Sequence, residues 1–318
     1  MTALPLQPSL AEFRELAQRG NLVPIYTEVI ADAETPVAAF QKIDDGRYSF
    51  LLESVEKSDQ AGRYSFVGTA PRIIFESRGR TIRITESGRV REFETSRDPL
   101  HELETLMQKF RLVPSPAVAE SRFAGGAVGY LSYDAVRFFE PSIGPAPPDE
   151  MGLPETLFMI ADTVLIFDHR TRRLRILANA FIENGNADEA YARAGETLAS
   201  LARKLAHPAQ LPVFHIRPPP LPISPSANTT PEEYQQIVRQ AQEYIRAGDV
   251  FQIVPSQRFE TEYEGDPLTL YRSLRLVNPS PYMFCLKLGG EDAGGARFAL
   301  VGSSPEVHVR AMNGRVEI

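Results

Sequence analysis

The stretch from Arg47 to Phe93 alternates apolar and polar residues with a period of two, which is the pattern of half-buried β-strands. Five runs rich in β-branched and aromatic residues fit this period. The last three runs are separated by Ser77-Arg78-Gly79 and Glu86-Ser87-Gly88, which suit tight turns. Since strands joined by tight turns pair antiparallel, we predict a meander and a fold built on antiparallel sheet.

Amphipathic helices are predicted on both sides of the proline-rich segment described below. Pro99 to Phe110, and about twenty residues from Asp188, carry apolar side chains at helical spacing. Thr230 and Glu233 form a capping box for a third helix, which Gly248 closes. Helices beside antiparallel strands indicate the α+β class, with largely antiparallel sheets flanked by helices.

A concentration of prolines predicts the domain organisation. Seven prolines lie between Pro208 and Pro225, and they make this segment extended and semi-rigid. The 318 residues suffice for two domains. We predict an N-terminal domain at 1–207, a proline-rich linker at 208–228 and the first part of a second domain at 229–318.

Composition excludes several classes of function. A net charge of −7 argues against a general nucleic-acid or anionic-membrane surface. The single cysteine, Cys285, excludes an internal disulfide and a cysteine-rich zinc site. The N-terminal residues lack the basic and apolar regions of a signal peptide, and no apolar run is long enough to span a bilayer. We therefore expect a cytoplasmic protein with no nucleic-acid or membrane partner.

The segment from Asn278 to Phe284 constrains the second half of the chain. Pro279 and Pro281 lack amide donors and keep the residues before them out of the helical region, so a helix must stop here. The following residues, to Leu288, are predicted as a strand. This turn is either the wall of a small-molecule pocket or a plain helix-to-strand connection whose aromatic side chains enter the core.

Two further features complete the local interpretation. Residues 249–259 are predicted as a strand that follows the third helix directly. Asn313-Gly314 predicts a tight hairpin, and the chain stops in its second strand. Because an edge strand is an unusual natural terminus, we expect the chain to be truncated at its C-terminus.

Five segments, in order and at sensible spacing, resemble the anthranilate synthase component I family of chorismate-utilising enzymes. These segments are Leu51–Ser54, Gly126–Asp134, Gly248–Arg258, Asn278–Phe284 and Gly302–Glu306. The resemblance implies a large α/β sandwich, incomplete as given. It also implies conversion of chorismate and ammonia to anthranilate and pyruvate in tryptophan biosynthesis. The ammonia comes from a glutamine amidotransferase subunit, component II.

The resemblance further implies feedback inhibition by L-tryptophan, bound between two of these segments. A hydroxyl, a free carbonyl and apolar side chains suit an amino-acid ligand. The implied tryptophan-binding residues are Ser54, Leu52, Glu53, Asn278, Pro281, Tyr282 and Met283. Without the second segment, the first would be interpreted as a buried edge of the meander. The family's Mg²⁺ ligands are expected beyond residue 318, with none in this chain.

The implied catalytic residues are Gln252 and Glu306. Relatives that add water to chorismate carry a lysine base at the position of Gln252, and a glutamine cannot act as that base. Glutamine therefore fits an enzyme that uses ammonia, which is a nucleophile when neutral. Glu306 resembles the general acid that helps the C4 hydroxyl leave, a role that needs a raised pKa. The alternatives are a polar strand residue and a Pro-Glu turn.

Two other functions stay open on the sequence. Aminodeoxychorismate synthase component I, in the folate branch, belongs to the same superfamily, although the Leu51–Ser54 and Asn278–Met283 segments favour the tryptophan enzyme. The chain could instead serve as a non-catalytic amino-acid-binding module. We expect the 318 residues alone to be an inactive fragment of the parent lyase.

Overall fold

The computed structural model describes residues 4–54, 62–115, 121, 123–213, 224–289, 297–312 and 314–317. It divides into two compact units, and each is described by itself. Unit 1 comprises Met1–Leu211 and Pro267–Ile318, and unit 2 comprises Pro212–Asp266. The segment predicted as the second domain therefore contributes residues to both units.

Unit 1 contains fourteen strands and five α-helices within its described residues. The strands are β1 Leu22–Ile30, β2 Ser49–Glu53, β3 Tyr64–Thr69, β4 Ile73–Arg78, β5 Thr81–Glu86, β6 Arg89–Glu94, β7 Gly126–Leu131, β8 Thr156–Ala161, β9 Thr163–Asp168, β10 Arg173–Phe181, and, after unit 2, β13 Tyr282–Leu288, β14 Phe298–Ser304, β15 Arg310–Met312 and β16 Arg315–Glu317. Four α-helices precede unit 2 in the chain: α1 Leu10–Leu16, α2 Pro36–Ile43, α3 Pro99–Met107 and α4 Ala187–Ala206. A fifth, α6 Pro267–Val277, precedes β13.

The strands form two main antiparallel sheets. One has seven strands in the order β1-β10-β9-β3-β2-β13-β14, and the other has five in the order β6-β5-β4-β8-β7. The five predicted strands of the meander all form, but β2 and β3 belong to the first sheet and β4 to β6 to the second. Pro71 lies at the point of transfer, where its missing amide donor suits a break in the ladder.

Three hydrophobic layers hold unit 1 together. The helix-covered face of the seven-stranded sheet buries Phe13, Phe40, Leu198 and other side chains. Its opposite face packs against the five-stranded sheet, with Phe50 and Met159 in the interface. The far face of the five-stranded sheet is covered by α3. This arrangement confirms the predicted α+β class.

Unit 2 consists of one long helix and a short ladder among its described residues. Helix α5, Pro231–Ala247, has the predicted capping box between Thr230 and Glu233 and ends at Gly248 in the left-handed conformation. The ladder pairs β11, Ser226–Ala227, with β12, Phe259–Glu260.

The predicted strand at 249–259 is wrong, because only its last residue, Phe259, lies in a strand. A strand exists only where a neighbour accepts its backbone hydrogen bonds, and β11 spans two residues. The apolar side chains of the segment are left exposed, including Phe251 at 96% and Val254 at 79%.

Two remaining predictions have clear outcomes. The final hairpin forms between β15 and β16, although Asn313 lies outside the described residues. No helix in the described ranges is both long and apolar enough to cross a bilayer.

Candidate functional site

Strand β13 lies directly beside β2, and this pairing brings two predicted ligand-binding segments together. The antiparallel register sets Met283 opposite Glu53 and Phe284 opposite Leu52. On its other edge, β13 pairs with β14, with Met283 opposite Ser303. The end of β2, where Ser54 follows, therefore meets the start of β13, where the Asn278–Pro281 loop arrives.

The loop is held at both of its ends. Helix α6 closes with the Asn278 amide donating to the Leu274 carbonyl at 2.8 Å. The Ser303 hydroxyl donates to the Asn278 carbonyl at 2.6 Å and lies 2.7 Å from the Ser280 hydroxyl. Since a hydroxyl carries one proton, Ser280 donates to Ser303 when Ser303 donates to Asn278. The loop is thus fixed against β14.

Ser54 offers a hydroxyl that needs a partner. Its Oγ is shielded from solvent, and among the described residues it has no hydrogen-bond partner. Leaving a buried hydroxyl unsatisfied costs about 1–3 kcal/mol. A ligand with a hydrogen-bonding group at this position would remove that cost.

Leu52 and Glu53 lie on opposite faces of the sheet, because successive strand residues alternate. Leu52 packs with Phe284 in the layer between the two sheets. Glu53 is 5% exposed and faces the helix-covered side. The structure therefore does not bring these two predicted ligand residues to one surface.

The buried carboxylate of Glu53 is engaged by α6. The Tyr271 hydroxyl donates to Oε2 at 2.6 Å, and Arg275 Nη2 donates to Oε1 at 3.4 Å. Arg275 Nε lies 3.3 Å from Oε2. Burial, and then the Glu53 charge, raise the pKa of Tyr271 well above its usual value, so its hydroxyl stays protonated and donates.

Sequence reasoning missed this partnership. The helical spacing of Leu268, Tyr271 and Leu274 predicts only that Tyr271 faces the core. A buried tyrosine hydroxyl generally needs a hydrogen-bond partner, and an arginine one turn later lies on the same helical face. That combination was the available signal, but it did not identify Glu53 as the acceptor.

The other predicted tryptophan-binding residues differ in exposure. Met283 is 1% exposed and belongs to the helix-side core. Tyr282 is 39% exposed, and its hydroxyl accepts a hydrogen bond from Arg310 Nη2 at 2.7 Å. Pro281 is half-buried and Asn278 is exposed. Ligand contacts at these positions stay predictions.

The two predicted catalytic residues lie in different units. Gln252 is exposed on irregular backbone in unit 2, and Glu306 is exposed in unit 1, just after β14. Their catalytic roles stay predictions. The described residues contain no group of three or more histidine, cysteine, aspartate or glutamate side chains that could hold a metal ion.

Comparison with known proteins identifies the family. The chorismate binding enzyme family matches residues 49–318. Anthranilate synthase component 1 of Acetivibrio thermocellus is 38% identical over 315 residues, covering 98% of this chain and 61% of the relative. The Aquifex aeolicus protein of the same name is 37% identical over 313 residues, covering 98% of this chain and 61% of the relative. The chain thus spans about three-fifths of the length of these relatives.

A solved structure supports the fold. The crystal structure of anthranilate synthase component I from Streptococcus pneumoniae matches with a TM-score of 0.57 and 24% identity, covering 91% of this chain and 59% of that one. The predicted resemblance to anthranilate synthase component I is confirmed by these relatives. The chain belongs to the chorismate binding enzyme family.

Proposed function

We propose that the chain is part of an anthranilate synthase component I, a lyase of L-tryptophan biosynthesis. It would form anthranilate and pyruvate from chorismate and ammonia and be inhibited by L-tryptophan. Relatives bearing that name align with 98% of this chain. The observation that carries the proposal is the pairing of β13 with β2, which sets the Asn278–Met283 segment beside Ser54.

The proposed tryptophan site uses groups that suit an amino acid. The unsatisfied Ser54 hydroxyl can donate to the ligand carboxylate. The Pro281 carbonyl can accept from the ligand ammonium group, and Tyr282 offers apolar surface to the indole ring. Met283, 1% exposed in the helix-side core, would support this wall of the site from behind. Such a mixture of a few polar groups and apolar walls is typical of small-molecule sites.

Catalysis is proposed to use Gln252 and Glu306. Gln252 has no titratable group near neutral pH, so it can orient the ammonia nucleophile through hydrogen bonds but cannot act as a base. Glu306 would protonate the leaving hydroxyl of chorismate. It is exposed just after β14, so chorismate can reach its carboxyl group.

The whole protein's cofactor, partner and location are also proposals. Mg²⁺ would be held by residues beyond 318 and would screen the charge of chorismate. A glutamine amidotransferase subunit would supply ammonia, and the protein would act in the cytoplasm. We propose the division into a regulatory domain at 1–207, a linker at 208–228 and a catalytic part from 229.

A second function is favoured by one observation: all seven predicted tryptophan-binding residues lie in unit 1. The chain alone could thus sense tryptophan without catalysing a reaction. Turnover of chorismate with ammonium and Mg²⁺ separates the two functions, because a sensor binds tryptophan and forms no anthranilate.

Tryptophan binding is the decisive test. The chain contains no tryptophan, so the fluorescence of added L-tryptophan can be followed without background from that residue. We expect saturable binding, confirmed by calorimetry, that weakens about tenfold in Ser54→Ala through loss of a hydrogen bond to a charged group. Ser200→Ala, on the exposed face of α4, is the matched control. A folded chain that binds no tryptophan would refute the site.

A further inference from the structure

Glu53 is the last residue of β2 and directly precedes Ser54. Its side chain is 2% exposed. Both carboxylate oxygens are engaged by α6, Oε2 by the Tyr271 hydroxyl at 2.6 Å and Oε1 by Arg275 at 3.4 Å. A ligand ammonium group that approached this carboxylate would have to displace one of these partners.

Helix α6 leads without interruption into the loop that faces Ser54. Tyr271 and Arg275 are four residues apart and lie on one face of the helix. The Asn278 amide donates to Leu274, so the loop begins in hydrogen-bonded contact with the last turn of α6. Fixing the face of the helix that carries Tyr271 therefore fixes where the loop starts.

The other end of the loop is fixed independently. Ser303 on β14 holds the Asn278 carbonyl and the Ser280 hydroxyl. The hydrogen bonds of Ser303 fix the position of the loop on β14, whereas those of Glu53 fix the position of α6 on β2. The pairing of β13 with β2 places the strand end of the loop beside Ser54, and the Glu53 cluster adds a second connection to β2, at the helix end of the loop.

We propose that Tyr271 and Arg275 are positioning residues for the tryptophan site, and that Glu53 acts through them rather than by touching the ligand. The Glu53–Tyr271–Arg275 cluster locks α6 to the end of β2 and so sets the position of Asn278, the helix end of the loop, relative to Ser54. This inference rests on the proposed function, and it revises the predicted role of Glu53.

The first test needs no ligand. Tyr271→Phe keeps the ring and removes the hydrogen bond, so we expect amide hydrogen exchange in the last turn of α6 and at Asn278, whose amide donates to Leu274, to accelerate about tenfold. Tyr191→Phe is the matched control. Tyr191 lies on α4, away from the loop, and its hydroxyl donates to the Pro8 carbonyl at 3.0 Å. Unchanged exchange in Tyr271→Phe would overturn the proposal whether or not the chain binds tryptophan.

The second test separates positioning from ligand contact. Glu53→Gln and Tyr271→Phe should each weaken L-tryptophan binding about tenfold, and the double variant should lose little more, because both changes break one connection. Additive losses would indicate that Glu53 acts on the ligand independently of Tyr271, and full affinity in Tyr271→Phe would overturn the positioning role. Absence of tryptophan binding by the unaltered chain would refute the proposed function instead, while the exchange test would still decide on the cluster.

Discussion

Strand β13 and the segment at 249–259 carry similar apolar patterns, yet only β13 is a strand throughout. β13 is paired along its length with β14 and over five residues with β2, and Met283 and Leu286 on it are at most 4% exposed. In unit 2, Phe251 is 96% exposed and the backbone around it is irregular. An apolar pattern states which side chains gain from burial, but a neighbouring strand decides whether the backbone becomes sheet.

The largest expected difference is in the free energy of unfolding, between a substitution in the strand that pairs with β13 and one in the segment at 249–259. Leu51, opposite Cys285 on β13, is fully buried. Leu51→Ala should lower the free energy of unfolding by about 2–5 kcal/mol through lost burial and a residual cavity. Val254→Ala, at a side chain 79% exposed, should change it by about 0.5 kcal/mol or less. Denaturant unfolding followed by circular dichroism measures both, and equal losses would break the contrast between paired and unpaired segments.

An intermediate effect is expected at alkaline pH. The pKa of Tyr271 is raised by burial and by Glu53, so the unfolded chain loses this proton first as pH rises above about 10. The stability that this tyrosine contributes is complete below pH 10 and declines above it, by about 1.4 kcal/mol per pH unit.

Comparison of variants isolates this contribution. Between pH 9 and about 11, the stability of Tyr271→Phe should fall less steeply than that of the unaltered chain. Tyr244→Phe in unit 2, at a ring 44% exposed, should follow the unaltered chain. Parallel curves for Tyr271→Phe and the unaltered chain would mean that the tyrosine ionises as easily in the folded state as in the unfolded one.

The smallest losses of stability are expected from removing helix caps. They should be equal in the two units, because a cap depends only on the first turn of its own helix. Ser9 on α1 and Thr230 on α5 each form a capping box with the glutamate three residues later. Ser9→Ala and Thr230→Ala should each cost about 1 kcal/mol in the unit that carries the helix. Hydrogen exchange in the first turn of each helix reports these losses separately. A much larger loss in unit 1 would show that caps depend on tertiary packing.

This contrast also explains what the sequence could predict. The capping box of Thr230 and Glu233, the hairpin of β15 and β16 and the five strands of the meander were predicted from residues close in sequence, and all are confirmed. The division of the meander between two sheets and the false strand at 249–259 depend on distant partners. The same holds for the candidate site. Its two segments could be predicted because each resembles a short family motif, whereas the Tyr271–Glu53 hydrogen bond could not, because it joins residues 218 apart in the sequence.

The position of β2 in the middle of its sheet has a consequence for biosynthesis. One edge of β2 pairs with β3, which is the next strand in the sequence, but its other edge pairs with β13, which is translated more than two hundred residues later. Translation at about 5–20 residues per second separates the two by roughly 10 to 45 seconds. During that interval the nascent polypeptide presents an unpaired edge beside Phe50 and Leu51, which is a template for wrong pairing between chains on one polysome. Slowing translation between these strands should therefore lower the soluble yield unless a ribosome-associated chaperone covers the edge.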